Sequence, residues 1–284
     1  MPAAAEADPS AARQSTGAGN IVFDFVASIS PLSIVSGFAV GLLIGLTGVG
    51  GGSLMTPLLI LVFGAEAPAA VGTDLLYATI TKSVGSLVHS RNRNVEWRIV
   101  FRLAAGSLPG AVLTLFGMRA VGVSGETIRH LIEVILGVAL LLSAATVLAR
   151  PLIQEMSRRR RRPLGPLTAP ATVLSGFVLG VLVTISSVGA GALGMTALIL
   201  LYPAVPLPRL VGTDIAHAVP LTLIAGIGHL LLGDVNWLLL VSLLIGSLPG
   251  IALGSRLSAR VPERLLRPLL AAILVVVGIR MVTR

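Results

Sequence analysis

The 284-residue chain has no cysteine. That excludes a disulfide framework, a thiolate metal site and a catalytic thiol. Charge is also scarce: 12% of residues are Asp, Glu, Lys or Arg, about half the ~25% of an ordinary soluble domain. Aromatic residues make up 4%, too few for a nucleic-acid surface built on stacking. Lysine is nearly absent, since Lys82 is the sole lysine beside the arginines. The familiar intramembrane and hydrolytic motifs, His-Glu-x-x-His and Gly-x-Ser-x-Gly, are missing, which argues against an enzyme.

What the chain does have is apolar length. It is 55% hydrophobic, with a mean hydropathy of +0.95, which excludes both a soluble domain and a disordered one. The net charge of +9 falls between apolar runs, as in the basic loops of a polytopic membrane protein, rather than in a patch for nucleic acid. The expected fold is all-α and multi-pass, with the lipid bilayer as its surroundings. Residues 1–30 read as a polar tail without the apolar core of a signal peptide. A spanning helix needs about 20 apolar residues, and six runs qualify: 70–88, 99–117, 131–149, 211–232, 237–254 and 265–282. Two longer runs, 32–63 and 173–202, are each broken by small residues, at Thr47-Gly48-Val49-Gly50-Gly51-Gly52-Ser53 and at Ser186-Ser187-Val188-Gly189-Ala190-Gly191-Ala192.

The two halves echo each other. Ser36-Gly37-Phe38 recurs at 175–177, Met55-Thr56 at 195–196, and Val71-Gly72-Thr73-Asp74 at 211–214. His89 recurs as His229, Trp97 as Trp237, and Gly106-Ser107-Leu108-Pro109-Gly110 as 246–250. This predicts two internal repeats, 31–149 and 171–284, joined by an Arg-rich cytoplasmic linker at 150–170. Each repeat is a broken or re-entrant segment followed by three spanning helices. If each broken run goes in and returns, the repeats are inverted. Fifteen of the twenty arginines then lie in loops on the cytoplasmic side, as the positive-inside rule favours. A parallel arrangement remains the alternative.

A helix interrupted inside the bilayer exposes backbone groups that only protein or a water-filled cavity can cover. The half-helix that follows presents free N–H groups, a setting suited to an anion; close packing through small residues is the other reading. Candidate substrate contacts are Thr47, Gly48, Gly50, Gly51, Gly52 and Ser53 in the first break, and Ser186, Ser187, Gly189 and Gly191 in the second. Lys82 joins them, about 18 Å of helix rise from Ala70. A charge at that depth calls for a cavity or a partner, so Lys82 either attracts an anion or sits in a structural ion pair. Asp74, Ala78, Lys82, Gly85 and His89 share one helix face. The second half repeats that face as Asp214, Ala218, Thr222, Ala225 and His229. Asp74 and Asp214 suit either a helix N-cap or proton coupling, and His89 and His229 either hydrogen bonding or proton coupling. His217 could line a pore, and His130 reads as a loop-edge residue. Neither a metal site nor a cofactor is expected.

Taken together, Gly45-Leu46-Thr47-Gly48-Val49-Gly50-Gly51-Gly52-Ser53, Pro57, Val71-Gly72-Thr73-Asp74, His89, Val95, Trp97 and the Gly-Ser-Leu-Pro-Gly motif resemble the sulfite exporter TauE/SafE (TSUP) family of bacterial membrane transporters. The resemblance implies a permease of the cytoplasmic membrane that moves sulfite, other sulfur-containing anions or small organic anions. It also implies coupling to the proton-motive force and a substrate region at 48–53 and 186–192. The second half departs from the pattern at Ser186-Ser187 and Ala190, and has Ala197 where Pro57 would recur. The competing reading is a cation or metal-ion permease that uses the intramembrane Asp and His residues.

Overall fold

A computed structural model describes residues 31–47, 52–121, 126–160, 165–257 and 263–283. Among them there is no strand. The helices are α1 (Pro31–Thr47), α2 (Gly52–Leu61), α3 (Ala67–Arg91), α4 (Trp97–Val121), α5 (Glu126–Arg160), α6 (Thr168–Ser186), α7 (Ala192–Leu201), α8 (Leu207–Leu232), α9 (Trp237–Leu257) and α10 (Glu263–Val282). Five segments are long and apolar enough to cross a membrane: Trp97–Val121, His130–Ser157, Gly165–Ser186, Leu207–Leu232 and Trp237–Gly254. Helix α3 matches them at 25 residues but carries Asp74 and Lys82 in its interior. Helix α7 has only 10 residues, roughly 15 Å, half of a ~30 Å hydrocarbon layer. Phe101, Phe116 and Leu231 are among many large apolar side chains left on the outside, as a lipid-facing surface requires.

The helices pack in pairs drawn from both halves of the chain. Helix α1 lies along α9, and α4 lies along α6; α3 packs on α8, and α5 on α10. Glycine makes the first two pairings close. A Cβ on Gly37 would stand 2.5 Å from the Leu243 carbonyl oxygen, and one on Gly246 1.9 Å from that of Ile34. In the α4–α6 pair, a Cβ on Gly176 would stand 2.2 Å from the Leu103 oxygen, and one on Gly106 1.9 Å from that of Val173. Thus the Gly-Ser-Leu-Pro-Gly motif supplies the face on which backbone meets backbone, the geometry small residues allow between membrane helices.

The α3–α8 pair is antiparallel. Gly72, near the start of α3, faces the Asp234 carbonyl beyond the end of α8, while Gly212, near the start of α8, faces the Asn94 carbonyl beyond the end of α3. The next residue locks each loop. Thr73 accepts the Asn236 backbone N–H (3.0 Å) and Thr213 accepts that of Glu96 (2.9 Å). The motif Val-Gly-Thr-Asp therefore reads as two statements: Gly-Thr docks a loop of the opposite half, and Asp points elsewhere.

Three expectations change. Helix α3 starts at Ala67 after Glu66, and α8 at Leu207 after Pro206. Asp74 and Asp214 thus lie two turns inside their helices and cap neither. Pro68 and Pro208 occupy the first turns, where a missing N–H and a preset φ favour an earlier start. Helix α5 runs through Arg150 to Arg160, so the first part of the expected linker is helical. Leu152, Gln154, Glu155 and Met156 are good helix formers, and Arg159 pairs with Glu155 at 3.0 Å. His130 is exposed inside α5, not at a loop edge.

Candidate functional site

The facing sides of α3 and α8 bring the polar residues together. At mid-helix, Thr79 donates to Thr222 at 2.9 Å, one turn from Lys82. The Lys82 side chain is buried, with 8% of the residue exposed. Both Asp214 and Asp74 lie within electrostatic range of it, yet among the described residues no carboxylate comes within the 4.0 Å of an ion pair. A structural salt bridge is therefore not what holds this ammonium, and the cost of burying it falls on longer-range attraction.

The two carboxylates are held differently, although they occupy matching positions. Asp74 is fully buried, and its Oδ2 accepts both the backbone N–H (3.2 Å) and the hydroxyl of Thr56 from the half-helix α2. Ser187 and Lys82 also lie within range of this carboxylate. Asp214 has no such donor. Thr196, the counterpart of Thr56, turns its hydroxyl to the Ala192 carbonyl instead (2.8 Å). Oδ1 of each aspartate is buried without a hydrogen-bond partner among the described residues; the difference lies in Oδ2, which Thr56 engages in Asp74 alone. Asp214 Oδ1 lies 2.4 Å from where a Cβ on Gly194 would be, so a side chain there would push this carboxylate aside. Lys82 and Arg150 are the charges that act on it.

The second break is built to end one helix and start another inside the protein. Ser187 takes a left-handed conformation (φ 57°, ψ 0°) after α6, and Gly189 has φ 115°. A non-glycine residue rarely holds the first of these, and it marks stored strain. Ser186 steadies the turn by donating to Leu182 O (2.7 Å) and accepting the Val188 N–H (3.2 Å). Ser186, Ser187, Val188 and Ala190 are all buried. Gly191, just before α7, shares with Arg150, Thr146 and Thr196 a cavity of about 20 Å³. In the first break, Gly48, Gly50 and Gly51 lie outside the described residues, as do the side chains of Thr47 and Ser53; Gly52 opens α2.

The histidines separate. His229 is buried and committed at both nitrogens, Nε2 to the Thr184 carbonyl of α6 (2.9 Å) and Nδ1 to Asp234 (3.3 Å). His89 is only half-buried at its helix end. His217, fully buried, pairs through Nε2 with Ser107 at 2.8 Å. Tyr77 occupies the position in α3 that matches His217, and its hydroxyl lies beside Ser247. These serines belong to the two Gly-Ser-Leu-Pro-Gly motifs.

Sequence reasoning missed Thr56, Ser107, Ser247 and Arg150. The first three carried a usable signal, since each is a polar residue that recurs at a spacing of 140. Arg150 carried none, because its neighbours in sequence read as a loop. Replacing Thr56 by valine removes a hydroxyl bonded to a charged group, a loss of about 1.5–3 kcal/mol. Thermal unfolding in detergent is expected to show a lower midpoint for Thr56→Val, and no change for Thr196→Val beyond that of losing an intrahelical bond.

Residues 33–281 match the sulfite exporter TauE/SafE family. A Bacillus subtilis (strain 168) protein described as a probable membrane transporter, YjnA, is 39% identical over 251 residues, covering 88% of this chain and 98% of the relative. A Methanocaldococcus jannaschii protein with the same description, MJ0441, is 27% identical, covering 91% of this chain and 97% of the relative. One from Xylella fastidiosa (strain Temecula1 / ATCC 700964) is 26% identical, covering 89% and 95%. No solved structure matches the chain. With nearly its whole described length matched, this integral membrane protein belongs to the sulfite exporter TauE/SafE family of membrane transporters.

Proposed function

We propose that the protein is a secondary transporter of the cytoplasmic membrane that moves a small anion, sulfite or another sulfur-containing or organic anion, through a chamber between α3 and α8. The observation that carries this reading is the buried Lys82 ammonium, without an ion-pair partner among the described residues. An anion beside it would receive the one close contact that neither carboxylate makes. The breaks, with Thr47, Gly48, Gly50, Gly51, Gly52 and Ser53 on one side and Ser186, Ser187, Gly189 and Gly191 on the other, would supply backbone N–H groups. Ser187, in range of Asp74, supports the idea that the second break borders the chamber.

The direct test is flux. Purified protein in liposomes should take up labelled sulfite, and sulfonates should compete. A protein that moves none of these anions, but does move a divalent cation, would overturn the reading. That cation permease is the second reading, and Asp214, a buried carboxylate without a donor, is what favours it.

In this reading the repeats, 31–149 and 171–284, are inverted. Support comes from the antiparallel contacts of matching helices, α3 with α8 and α5 with α10. In the latter pair Gly137 faces Val282 and Gly278 faces Leu141. Inverted repeats place a site at their interface, near mid-membrane. Reporter fusions after Asn94 and after Val235 are expected to give opposite locations, with residue 94 cytoplasmic. Equal signals from the two would exclude inversion.

A further inference from the structure

We infer that Asp214 is the group that takes up a proton together with the transported anion, whereas its counterpart Asp74 stays hydrogen-bonded to Thr56 as a fixed part of the frame. The inference rests on the anion reading above and assigns the coupling to one side chain.

The argument starts from charge. Lys82, Arg150, Asp74 and Asp214 are the charged groups that the described residues bring to this region, two of each sign. A monovalent anion seated beside Lys82 leaves one uncompensated negative charge in a poorly solvated place, which is costly. A proton on one carboxylate restores the balance, so anion and proton enter together. Asymmetry then decides which carboxylate. Asp74 is fully buried and anchored through Oδ2 by two donors from Thr56, which fix its position against α2. Asp214 is 5% exposed and no hydrogen bond ties it among the described residues. It rests on Gly194, where a side chain would displace it.

Two cations act on Asp214. From α3 comes Lys82, and from α5 Arg150. The packed faces of α4, α6 and α7 bring no charged group to it among the described residues; Arg102 of α4 turns to the Tyr202 hydroxyl (3.4 Å) instead. On its own helix, His217 faces Ser107. His229 stands about 22 Å of helix rise from Asp214, at the far end of α8, where its nitrogens face the Thr184 carbonyl and the Asp234 carboxylate.

Proteoliposomes loaded with a pH-sensitive dye test this, with sulfite as the probe, buffered well below its second pKa so that it stays the monovalent hydrogensulfite ion and neither binds nor releases a proton. The wild-type protein is expected to acidify the lumen as sulfite enters, and a proton gradient should accelerate uptake several-fold. Asp214→Asn is expected to retain exchange of labelled sulfite for unlabelled sulfite while losing gradient stimulation and lumen acidification. Persisting acidification per sulfite in Asp214→Asn would overturn the inference and leave the anion reading standing. No sulfite movement by the wild-type protein would overturn both. Should Asp214→Asn fail to reach the membrane, Gly194→Ala is read in its place. A changed proton-to-sulfite ratio supports the assignment, and an unchanged ratio overturns it.

Discussion

Replacing Lys82 with alanine is expected to lower anion flux by about 10- to 100-fold. Hydrogen bonds to charged groups contribute about 1.5–3 kcal/mol, and each ~1.4 kcal/mol is a factor of ten. Among the described residues, the lysine is the one cation buried on the facing sides of α3 and α8, at 8% exposure and with Asp74 and Asp214 in range but not in contact. Removing it costs more than attraction for substrate, because both carboxylates then lose a countercharge. Lys82→Ala should therefore be judged on initial rates per folded molecule, with folding followed by the fluorescence of Trp97 and Trp237. Lys82→Arg keeps the charge in a larger, planar group and is expected to recover part of the flux. Equal rates for Lys82→Ala and the unmodified protein would remove the lysine from transport and shift weight to the carboxylates, as the cation reading requires.

The largest stability effect is expected where helices touch backbone to backbone. Gly106→Val on α4 would set a Cβ 1.9 Å from the Val173 carbonyl oxygen, and Gly246→Val on α9 would do the same to Ile34. Neither neighbour is the flexible end of a side chain, so the helices themselves must separate. Overpacking typically costs 1–3 kcal/mol, and these sites belong at or above the upper end, about 3 kcal/mol. Gly117, on the same helix as Gly106, has nothing within 4 Å of its hypothetical Cβ. Gly117→Ala is therefore expected to stabilise by roughly 0.5–1 kcal/mol, from helix propensity alone. Thermal unfolding of the three variants in one detergent checks both signs. A neutral Gly106→Val would mean that α4 and α6 are not in the contact described.

Much was legible because membrane burial writes itself into composition. The α-helical, polytopic class, most of the long spans and the second helix break followed from apolar run lengths and from small residues in the middle of an overlong run; the first break lies outside the described residues. The recurrence of polar residues at a spacing of 140 also pointed to the parts that matter. Gly-Ser-Leu-Pro-Gly and Val-Gly-Thr-Asp are where the halves interlock. The roles within those motifs were not legible. In Gly-Ser-Leu-Pro-Gly the glycines admit a neighbouring backbone, a role that depends on which helix lies alongside. An N-cap was the local reading of Asp74, and the earlier helix start at Ala67 overrode it.

By itself, the sequence determined that the chain must live in lipid, that it folds as helices and that a lone lysine sits deep in one of them. Those conclusions need only the free energy of apolar burial and the length of a helix, both properties of local residues. Tertiary structure alone decided that α3 and α8 run antiparallel against each other and that Arg150 lies beside Gly191. It also decided that matched aspartates have unequal partners, Asp74 with Thr56 and Asp214 with none among the described residues. The reason is physical: hydrogen bonds and charge contacts between helices depend on which faces meet, and two halves with nearly the same local pattern can place one threonine hydroxyl on a carboxylate and the other on its own backbone.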